Sequence, residues 1–241
     1  MTSGEPTLYV VPASHPCAAV MAAFERKGLS YRRVDLLPMV HVLFQRAAFG
    51  RRTVPGLKLP SGDRVVGSRA IMRVLDGLEP EPPLLPAGAA LRAKVEGAEA
   101  WGDEVLQPLV RRVLWAGFQA RPDALPSYAE GAKLPIPPSL AAANGPVLAR
   151  LERRLNRSTD AAVRADLAGL DALLDRADGY VAEGVCGGEP ANVADLQIGA
   201  SLRLLMTIED LRPRIEPRPS GAMALRLFPE YPGRLPAGAL V

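Results

Sequence analysis

Short apolar runs alternate with amphipathic stretches along the first third of the chain, which indicates strands alternating with helices. Residues 7–11 (TLYVV) and 31–36 (YRRVDL) are β-prone and predict two strands. Between them, Pro16 suits the first turn of a helix, an apolar stripe follows, and Lys27-Gly28 is a stop signal. The pattern therefore predicts a strand, a helix and a second strand.

The alternation continues with a second helix and a hairpin. Residues 39–50 (MVHVLFQRAAFG) have helical periodicity, and residues 56–59 and 64–66 flank the turn PSGD, which predicts a β-hairpin. Ser68 is expected to cap a last helix over residues 68–78. Residues 1–79 are therefore expected to form an α/β domain in the order βαβαββα, with parallel strands first and the hairpin last.

A proline-rich segment separates this domain from the rest of the chain. The stretch EPEPPLLP has four prolines in eight residues and cannot continue a helix, so residues 80–86 are expected to be a linker. Most of residues 87–241 have helical periodicity, interrupted by a proline-rich loop at residues 132–146. The second domain is therefore expected to be all-helical.

The first long helix of this second domain is predicted over residues 91–119, with a kink at Pro108. Trp101 and Trp115 lie fourteen residues apart, about four helical turns, and are expected to share one face as core or interdomain packing. Of the two, Trp115 is the one expected to reach a cleft between the domains.

Capping signals locate two further helix starts. Residues 152–182 are expected to hold parts of two helices, the second starting at Ser158 or Thr159. Residues 192–211 predict a strongly apolar helix with Asn192 at the N-cap and Asp195 completing a capping box.

Composition describes a globular protein without strong charge bias. Of the 241 residues, 48% are hydrophobic and 23% charged, which suffices for a core. The 29 basic and 26 acidic residues are interspersed, which argues against a nucleic-acid partner. With no basic leader before an apolar core and no run of about 18 apolar residues, we expect a cytoplasmic protein that does not span a membrane. Cys17 and Cys186 do not suggest a disulfide framework.

Two loops carry the candidate chemistry. Ser14 lies between the first strand and the first helix, where a helix N-terminus exposes unpaired N–H groups and a partial positive charge. Thr53-Val54-Pro55 precedes the third strand, where a proline marks an edge, a bend or a cis bond. In the predicted element order, both loops would meet at one end of the sheet.

These motifs resemble those of the glutathione transferases. SHPCAAV, at Ser14, is similar to the serine motif of the delta class, and TVPGL, at Thr53, resembles the loop with a cis-proline. GSRAI, from Gly67, resembles ESRAI, and NVADLQI, from Asn192, resembles the helix start of the family's helical domain. The resemblance implies a thioredoxin-like first domain, an all-helical second domain with a pocket for a small hydrophobic electrophile, and a homodimer.

The resemblance also implies roles in binding glutathione or a related small thiol, with no metal. Val54 would pair with the backbone of the tripeptide, and Pro55 would shape the turn. Ser68 and Arg69 would bind the γ-glutamyl carboxylate beside a helix N-terminus, which favours anions. Arg52 would contact the glycyl end.

Ser14 takes the catalytic role in this resemblance, because its hydroxyl would hydrogen-bond and activate the thiol. A free thiol with a pKa near ~8.5 is mostly protonated at neutral pH. Lowering that pKa by about two units requires ~2.7 kcal/mol. A hydrogen bond to a charged acceptor contributes about 1.5–3 kcal/mol, and a helix terminus up to ~2 kcal/mol. A serine and a helix end would therefore suffice without a metal or a histidine base.

One departure from the family pattern concerns Gly67. Relatives carry an acidic or amide residue there, which accepts the γ-glutamyl ammonium, and losing this contact would cost about 1.5–3 kcal/mol of binding. Three alternatives stay open: another residue compensates, glutathione binds weakly, or the natural thiol differs.

Other interpretations also stay open. Gly67 favours a non-catalytic binding or scaffold protein that kept the fold. A reductase centred on Cys17 is a third hypothesis, although SHPC lacks the first cysteine of a CPxC motif and Cys17 is expected to be buried against the sheet. His15 is expected at the rim of the site and Tyr9 in the core.

Overall fold

The computed structural model describes residues 4–134 and 144–240. The first domain contains four strands and three helices in the predicted order, and the helical second half is also confirmed. The elements of the first domain are β1 (Thr7–Val10), α1 (His15–Arg26), β2 (Arg32–Asp35), α2 (Val40–Phe49), β3 (Gly56–Lys58), β4 (Arg64–Val66) and α3 (Ser68–Leu78).

The four strands form one mixed sheet in the order β2-β1-β3-β4. Strand β1 is parallel to β2, with Leu8 opposite Arg33, and antiparallel to β3, with Leu8 opposite Leu57; β3 and β4 form the predicted hairpin. Leu8, Leu57 and Phe24 of α1 are fully buried, because a strand paired on both edges leaves its apolar side chains to the core. Tyr9 is half-buried and packs against aromatic rings of α2, instead of joining the buried core as expected.

Helix α3 begins differently from the prediction. Gly67, rather than Ser68, occupies the N-cap position, with a φ of +94°, and its carbonyl accepts a hydrogen bond of 3.0 Å from the Ile71 N–H. Ser68 is instead the first helical residue. The predicted cap is wrong because the left-handed backbone of glycine makes the turn into the helix.

The second domain consists of helices around one central helix, Val193–Leu205, all of whose residues are buried. It also contains a π-helical segment, Gly102–Leu106, and a 3₁₀ segment, Pro122–Ala129. None of the described helices is long and apolar enough to cross a bilayer. The α-helices are α4 (Ala89–Trp101), α5 (Gln107–Ala120), α6 (Gly145–Leu155), α7 (Asp160–Ala168), α8 (Leu170–Ala182), α9 (Val193–Leu205), α10 (Arg212–Ile215) and α11 (Pro219–Leu227).

The predicted single helix over residues 91–119 is divided by the π segment. Pro108 has no N–H to bond to the carbonyl four residues earlier, and the Gln107 N–H bonds to the Gly102 carbonyl, five residues earlier. Trp101 packs on Tyr180 at a centroid distance of 5.6 Å, whereas Trp115 packs on Phe118 at 5.2 Å. The two tryptophans therefore have different neighbours instead of the shared face that an uninterrupted helix predicts.

The predicted caps of the later helices are confirmed. The Thr159 hydroxyl accepts a hydrogen bond of 3.1 Å from Ala162 N at the start of α7, and Asn192 and Asp195 form the capping box of α9. Residues 152–182 hold parts of three helices rather than two, because Gly169 separates α7 from α8. Part of the predicted proline-rich loop, residues 135–143, lies outside the described residues.

The segment between the domains is fixed by buried hydrogen bonds. Lys27 Nζ, at the end of α1, donates to Asp76 Oδ1 and to the Glu79 carbonyl, both at 2.6 Å, and to the Pro82 carbonyl at 2.8 Å. Leu84 is fully buried, and its carbonyl accepts a hydrogen bond of 3.0 Å from Val193 N of α9. These bonds attach both domains to the connecting chain.

Candidate functional site

A cavity of about 260 Å³ lies between the two domains. The loop before α1 and the segment before β3, which are expected to meet, both line it, as do α2, α5, the 3₁₀ segment and α6. Three residues selected from the sequence, Ser14, Arg52 and Val54, are among its lining residues.

Ser14 immediately precedes α1. Its carbonyl accepts a hydrogen bond of 2.9 Å from Ala18 N, and its own N–H donates to the Val11 carbonyl at 3.1 Å. Its hydroxyl makes no capping bond to the helix. Ser14 therefore borders the cavity at a positively polarised helix end without acting as an ordinary N-cap.

The thiol of Cys17 faces the interior of the first domain and is fully buried. Burial raises its pKa to about 11, against a smaller opposing effect of hydrogen bonds from the Ser14 side chain and the Val11 backbone. A thiol with this pKa stays protonated at neutral pH, so the arrangement does not favour Cys17 as a redox nucleophile.

The segment before β3 contains a cis peptide bond between Val54 and Pro55, one of the three possibilities that the sequence left open. Val54 lines the cavity, whereas Pro55 is buried behind it and its carbonyl accepts a hydrogen bond of 2.9 Å from Gly67 N. Val54, rather than Pro55, is thus the residue of the cis pair that borders the cavity.

Ser68 and Arg69 are not among the residues that line the cavity. Ser68 is buried, and the half-exposed Arg69 contacts the second domain, with Nη1 3.2 Å from Glu104 Oε1 and Nε 3.6 Å from Glu99 Oε2. Glu99 is fully buried and also pairs with Arg73 at 2.5 Å. The structure therefore places Arg69 in an ion-pair cluster at the domain interface.

His15 differs from its expected position at the rim. It is the first residue of α1 and is only 2% exposed, because α1 packs against α9. His15 Nδ1 lies 3.1 Å from Ser201 Oγ, whose proton goes to the Gln197 carbonyl at 2.9 Å, so Nδ1 carries the ring proton. Burial and the nearby Arg111 guanidinium hold the pKa of His15 well below its usual value.

Sequence reasoning missed three ionisable residues that line the cavity. Arg111 of α5, Glu152 of α6 and His41 of α2 all line the cavity. Burial raises the pKa of the Glu152 carboxyl and lowers the pKa of His41. These residues come from separate helices and carry no motif, so only the fold reveals that they share a cavity. In the described residues, no group of three or more His, Cys, Asp or Glu side chains is placed to hold a metal ion.

Comparison with known proteins agrees with this architecture. Residues 8–83 match the family model for the glutathione S-transferase N-terminal domain. Among proteins of curated function, none matches this sequence significantly. Many solved structures share the fold, with low sequence identity over nearly the whole chain.

A glutathione S-transferase from Rhodospirillum rubrum F11 is 21% identical, with 98% of each chain covered and a TM-score of 0.66. A glutathione S-transferase from Methylobacillus flagellatus KT, solved with glutathione bound, is 19% identical, with 92% of this chain and 93% of that one covered and a TM-score of 0.62. The β-etherase LigF from Sphingobium sp. strain SYK-6 is 19% identical, with 94% and 99% covered and a TM-score of 0.62. The first domain of this chain therefore belongs to the glutathione S-transferase N-terminal domain family, and the whole chain has the glutathione S-transferase fold.

Proposed function

We propose that this protein activates the thiol of glutathione, or of a related low-molecular-weight thiol, for attack on a small hydrophobic electrophile. The observation that carries the proposal is that Ser14, at the N-terminus of α1, and Val54, beside a cis-proline, line the same cavity as an apolar wall of the second domain. The reaction is an addition or substitution at an electrophilic carbon, or a thiol-assisted isomerisation.

On the first-domain side, each element has one task. The Ser14 hydroxyl donates a hydrogen bond to the sulfur, which favours the thiolate over the protonated thiol. The unpaired N–H groups at the start of α1 add a positive potential. The Val54 backbone pairs with the cysteinyl unit of the thiol substrate, and Arg52, exposed at the mouth of the cavity, meets its glycyl carboxylate.

On the second-domain side, the wall is suited to an apolar electrophile. Leu114, Trp115 and Phe118 of α5 line the cavity together with Tyr128 of the 3₁₀ segment. An apolar cavity of about 150 Å³ already admits a benzene ring. Because this cavity of about 260 Å³ must also admit the reactive end of the thiol, the part left for the electrophile suits a small single ring. Removing such a ring from water supplies binding energy without further polar contacts.

Replacement of Ser14 tests the proposal. Ser14→Ala should reduce turnover of a generic electrophile such as 1-chloro-2,4-dinitrobenzene with glutathione by tenfold or more and raise the apparent pKa of the reaction. Ser61→Ala is the matched control, since the Ser61 hydroxyl bonds within an exposed turn, to Asp63. Unchanged turnover in Ser14→Ala would remove Ser14 from the mechanism.

Relatives carry an acidic or amide residue where this chain has Gly67. Glu104 is our candidate to accept the γ-glutamyl ammonium in its place. Its exposed carboxylate reaches Arg69 from the second domain, next to the start of α3. Gly67 has a φ of +94°, so a glutamate introduced there would strain the backbone, and Glu104→Gln is the better test. Calorimetric titration with glutathione should show roughly tenfold weaker binding in this variant, about the value of one charge-assisted contact.

The alternative function is a non-catalytic scaffold. Calorimetric titration with small thiols, together with a turnover assay, distinguishes it from an enzyme. The scaffold predicts no thiol-dependent turnover of any electrophile and weak binding of glutathione, cysteine and γ-glutamylcysteine alike. Tight binding of a thiol other than glutathione would identify a different natural co-substrate for the same site.

We further propose that the protein is a cytoplasmic homodimer. Leu78 at the end of α3, Leu91 of α4 and Val105 of the π segment are large apolar side chains that are 41–55% exposed in the single chain. Exposed apolar groups on adjoining elements favour association. Light scattering after size exclusion distinguishes a dimer from a 25.7 kDa monomer.

A further inference from the structure

Arg111 places a positive charge in the apolar wall of the cavity. It projects from α5, one turn before Leu114 and Trp115, and all three residues line the cavity. Its guanidinium Nη1 donates a hydrogen bond of 3.0 Å to Oε1 of the buried Gln107. This neutral bond orients the guanidinium but leaves its charge uncompensated.

No carboxylate among the described residues forms an ion pair with Arg111. The neighbouring Arg112 is different, because Asp166 binds it with two hydrogen bonds of 2.6 and 2.7 Å. Burial lowers the pKa of the Arg111 guanidinium, the Asp103 carboxylate opposes this effect without forming an ion pair, and Arg112 and Arg52 add smaller lowering effects. Because a guanidinium keeps its proton in proteins, the cavity holds a partly desolvated charge that an anion would stabilise.

The carboxyl group on the facing wall does not supply this anion. Glu152 is buried, accepts a hydrogen bond of 3.1 Å from Asn156 Nδ2, and has a pKa raised by burial. Arg52, the other arginine of the cavity, is exposed on the first-domain loop and serves the thiol substrate in the proposed function. Arg111 is thus the charged group left for the second substrate.

Resting on the proposed function, we propose that the electrophile bears a carboxylate, which Arg111 binds while the reactive carbon faces Ser14. A planar guanidinium matches a carboxylate in geometry and charge, and the apolar residues beside it accommodate the ring or chain. The substrate class is therefore an apolar electrophile with one carboxylate, rather than a neutral hydrophobic compound.

Two substrates that differ only in a carboxylate test the proposal that the electrophile is an anion. With 4-chloro-3-nitrobenzoate, the glutathione thiolate forms a C–S bond at C4, the C–Cl bond breaks, chloride leaves with the bonding electron pair, and the thiol proton goes to water. The methyl ester reacts identically without the charge. Dividing each kcat/KM by the uncatalysed rate constant with glutathione removes the difference in ring reactivity.

We expect the wild-type enzyme to favour the acid over the ester by tenfold or more in this normalised ratio, and Arg111→Gln to bring the ratio close to one. Arg150→Gln, which removes an equal charge from the exposed face of α6, should keep the wild-type ratio. In the wild type, 3-nitrobenzoate should also inhibit at least tenfold more strongly than 3-nitrobenzamide, a comparison that needs no folded variant.

Equal normalised kcat/KM values for acid and ester in the wild type, with turnover still reduced tenfold or more in Ser14→Ala, overturn this inference and leave the proposed function intact. Full turnover in Ser14→Ala overturns the proposed function itself. A tenfold rise in the KM for glutathione in Arg111→Gln, with the acid-to-ester ratio unchanged, assigns Arg111 to the glycyl carboxylate and also overturns the inference.

Discussion

The phenolic oxygen of Tyr231 donates a hydrogen bond of 3.1 Å to the carbonyl oxygen of Ala13, a residue 218 positions earlier in the chain. Ala13 has a φ of +55°, a left-handed conformation that is uncommon for alanine, and the next residue is Ser14. The Tyr231 ring lies 5.8 Å from the Arg203 guanidinium, which in turn binds the Phe228 carbonyl. The C-terminal segment thus fixes the backbone that positions Ser14.

Tyr231→Phe should therefore affect chemistry as well as stability. Loss of one hydrogen bond is expected to lower the free energy of unfolding by about 1 kcal/mol. If Ser14 activates the thiol, a less constrained loop should also raise the apparent pKa in the pH profile of kcat/KM and reduce turnover severalfold. Tyr180→Phe, at the ring that packs on Trp101, is the control. An unchanged pH profile would limit Tyr231 to a structural role.

Cys17 should be unreactive in the folded protein. With its pKa raised to about 11, the thiol is protonated at pH 8, so iodoacetamide should modify it at least about a hundredfold more slowly than free cysteine. A Cys186→Ala background restricts the measurement by mass spectrometry to Cys17. Addition of denaturant should restore rapid alkylation. Rapid alkylation of the native protein would instead revive the reductase hypothesis.

The Lys27–Asp76 pair should contribute strongly to stability. The Lys27 side chain is fully buried and binds three acceptors at 2.6–2.8 Å. Lys27→Met therefore leaves two carbonyls without this donor, and the half-buried Asp76 carboxylate keeps its bond of 2.8 Å from Leu84 N but loses its counter-charge. Removing one partner of a buried pair costs about 3–5 kcal/mol. Lys94→Met, which breaks an exposed pair with Glu183, should cost less than about 1 kcal/mol. Urea unfolding measures both values, and equal losses would contradict this account.

Stability should fall as the pH drops below about 6.5, the usual pKa of histidine. Burial lowers the pKa of both histidines of the chain, so the unfolded chain binds protons that the folded one does not. Stability then rises with pH through this range, by up to about 1.4 kcal/mol per pH unit for one histidine. His15→Gln should make the curve between pH 7.5 and 5.5 shallower.

The free energy of unfolding at several pH values, determined in urea, checks this prediction. Comparison of the wild type with His15→Gln cancels the carboxyl groups that titrate in both proteins. Parallel curves for the two proteins would show that His15 is protonated equally in the folded and unfolded states.

The first domain was predictable because its signals are local. Prolines, glycines and β-prone runs each act within a few residues, and they predicted every strand and helix from Thr7 to Leu78 to within two residues. The exception was Ser68. Serine is a common N-cap residue, but the adjacent Gly67 makes the turn into the helix and occupies the N-cap position instead. Asn192 and Thr159 were likewise predictable, since a capping bond spans only three residues.

Of the candidate site, only the part formed by the two loops of the first domain was predictable. Ser14 and Val54 belong to loops with recognisable residues, whereas Arg111, His41 and Glu152 meet only because three separate helices pack together. His15 shows the same limit, since its burial depends on α9, which begins 178 positions later in sequence. Long-range packing of this kind leaves no pattern in a single sequence.

The π segment Gly102–Leu106 determines which face of α5 lines the cavity. A turn closed by a bond to the fifth preceding residue contains one residue more than an α-helical turn, so everything after it is rotated by about 100° relative to a continuous helix. Deleting one residue there would turn Arg111 and Trp115 away from Ser14 and Val54 without changing either first-domain loop. Substrate preference in this scaffold can thus change through the phase of one helix, independently of the machinery in the first domain.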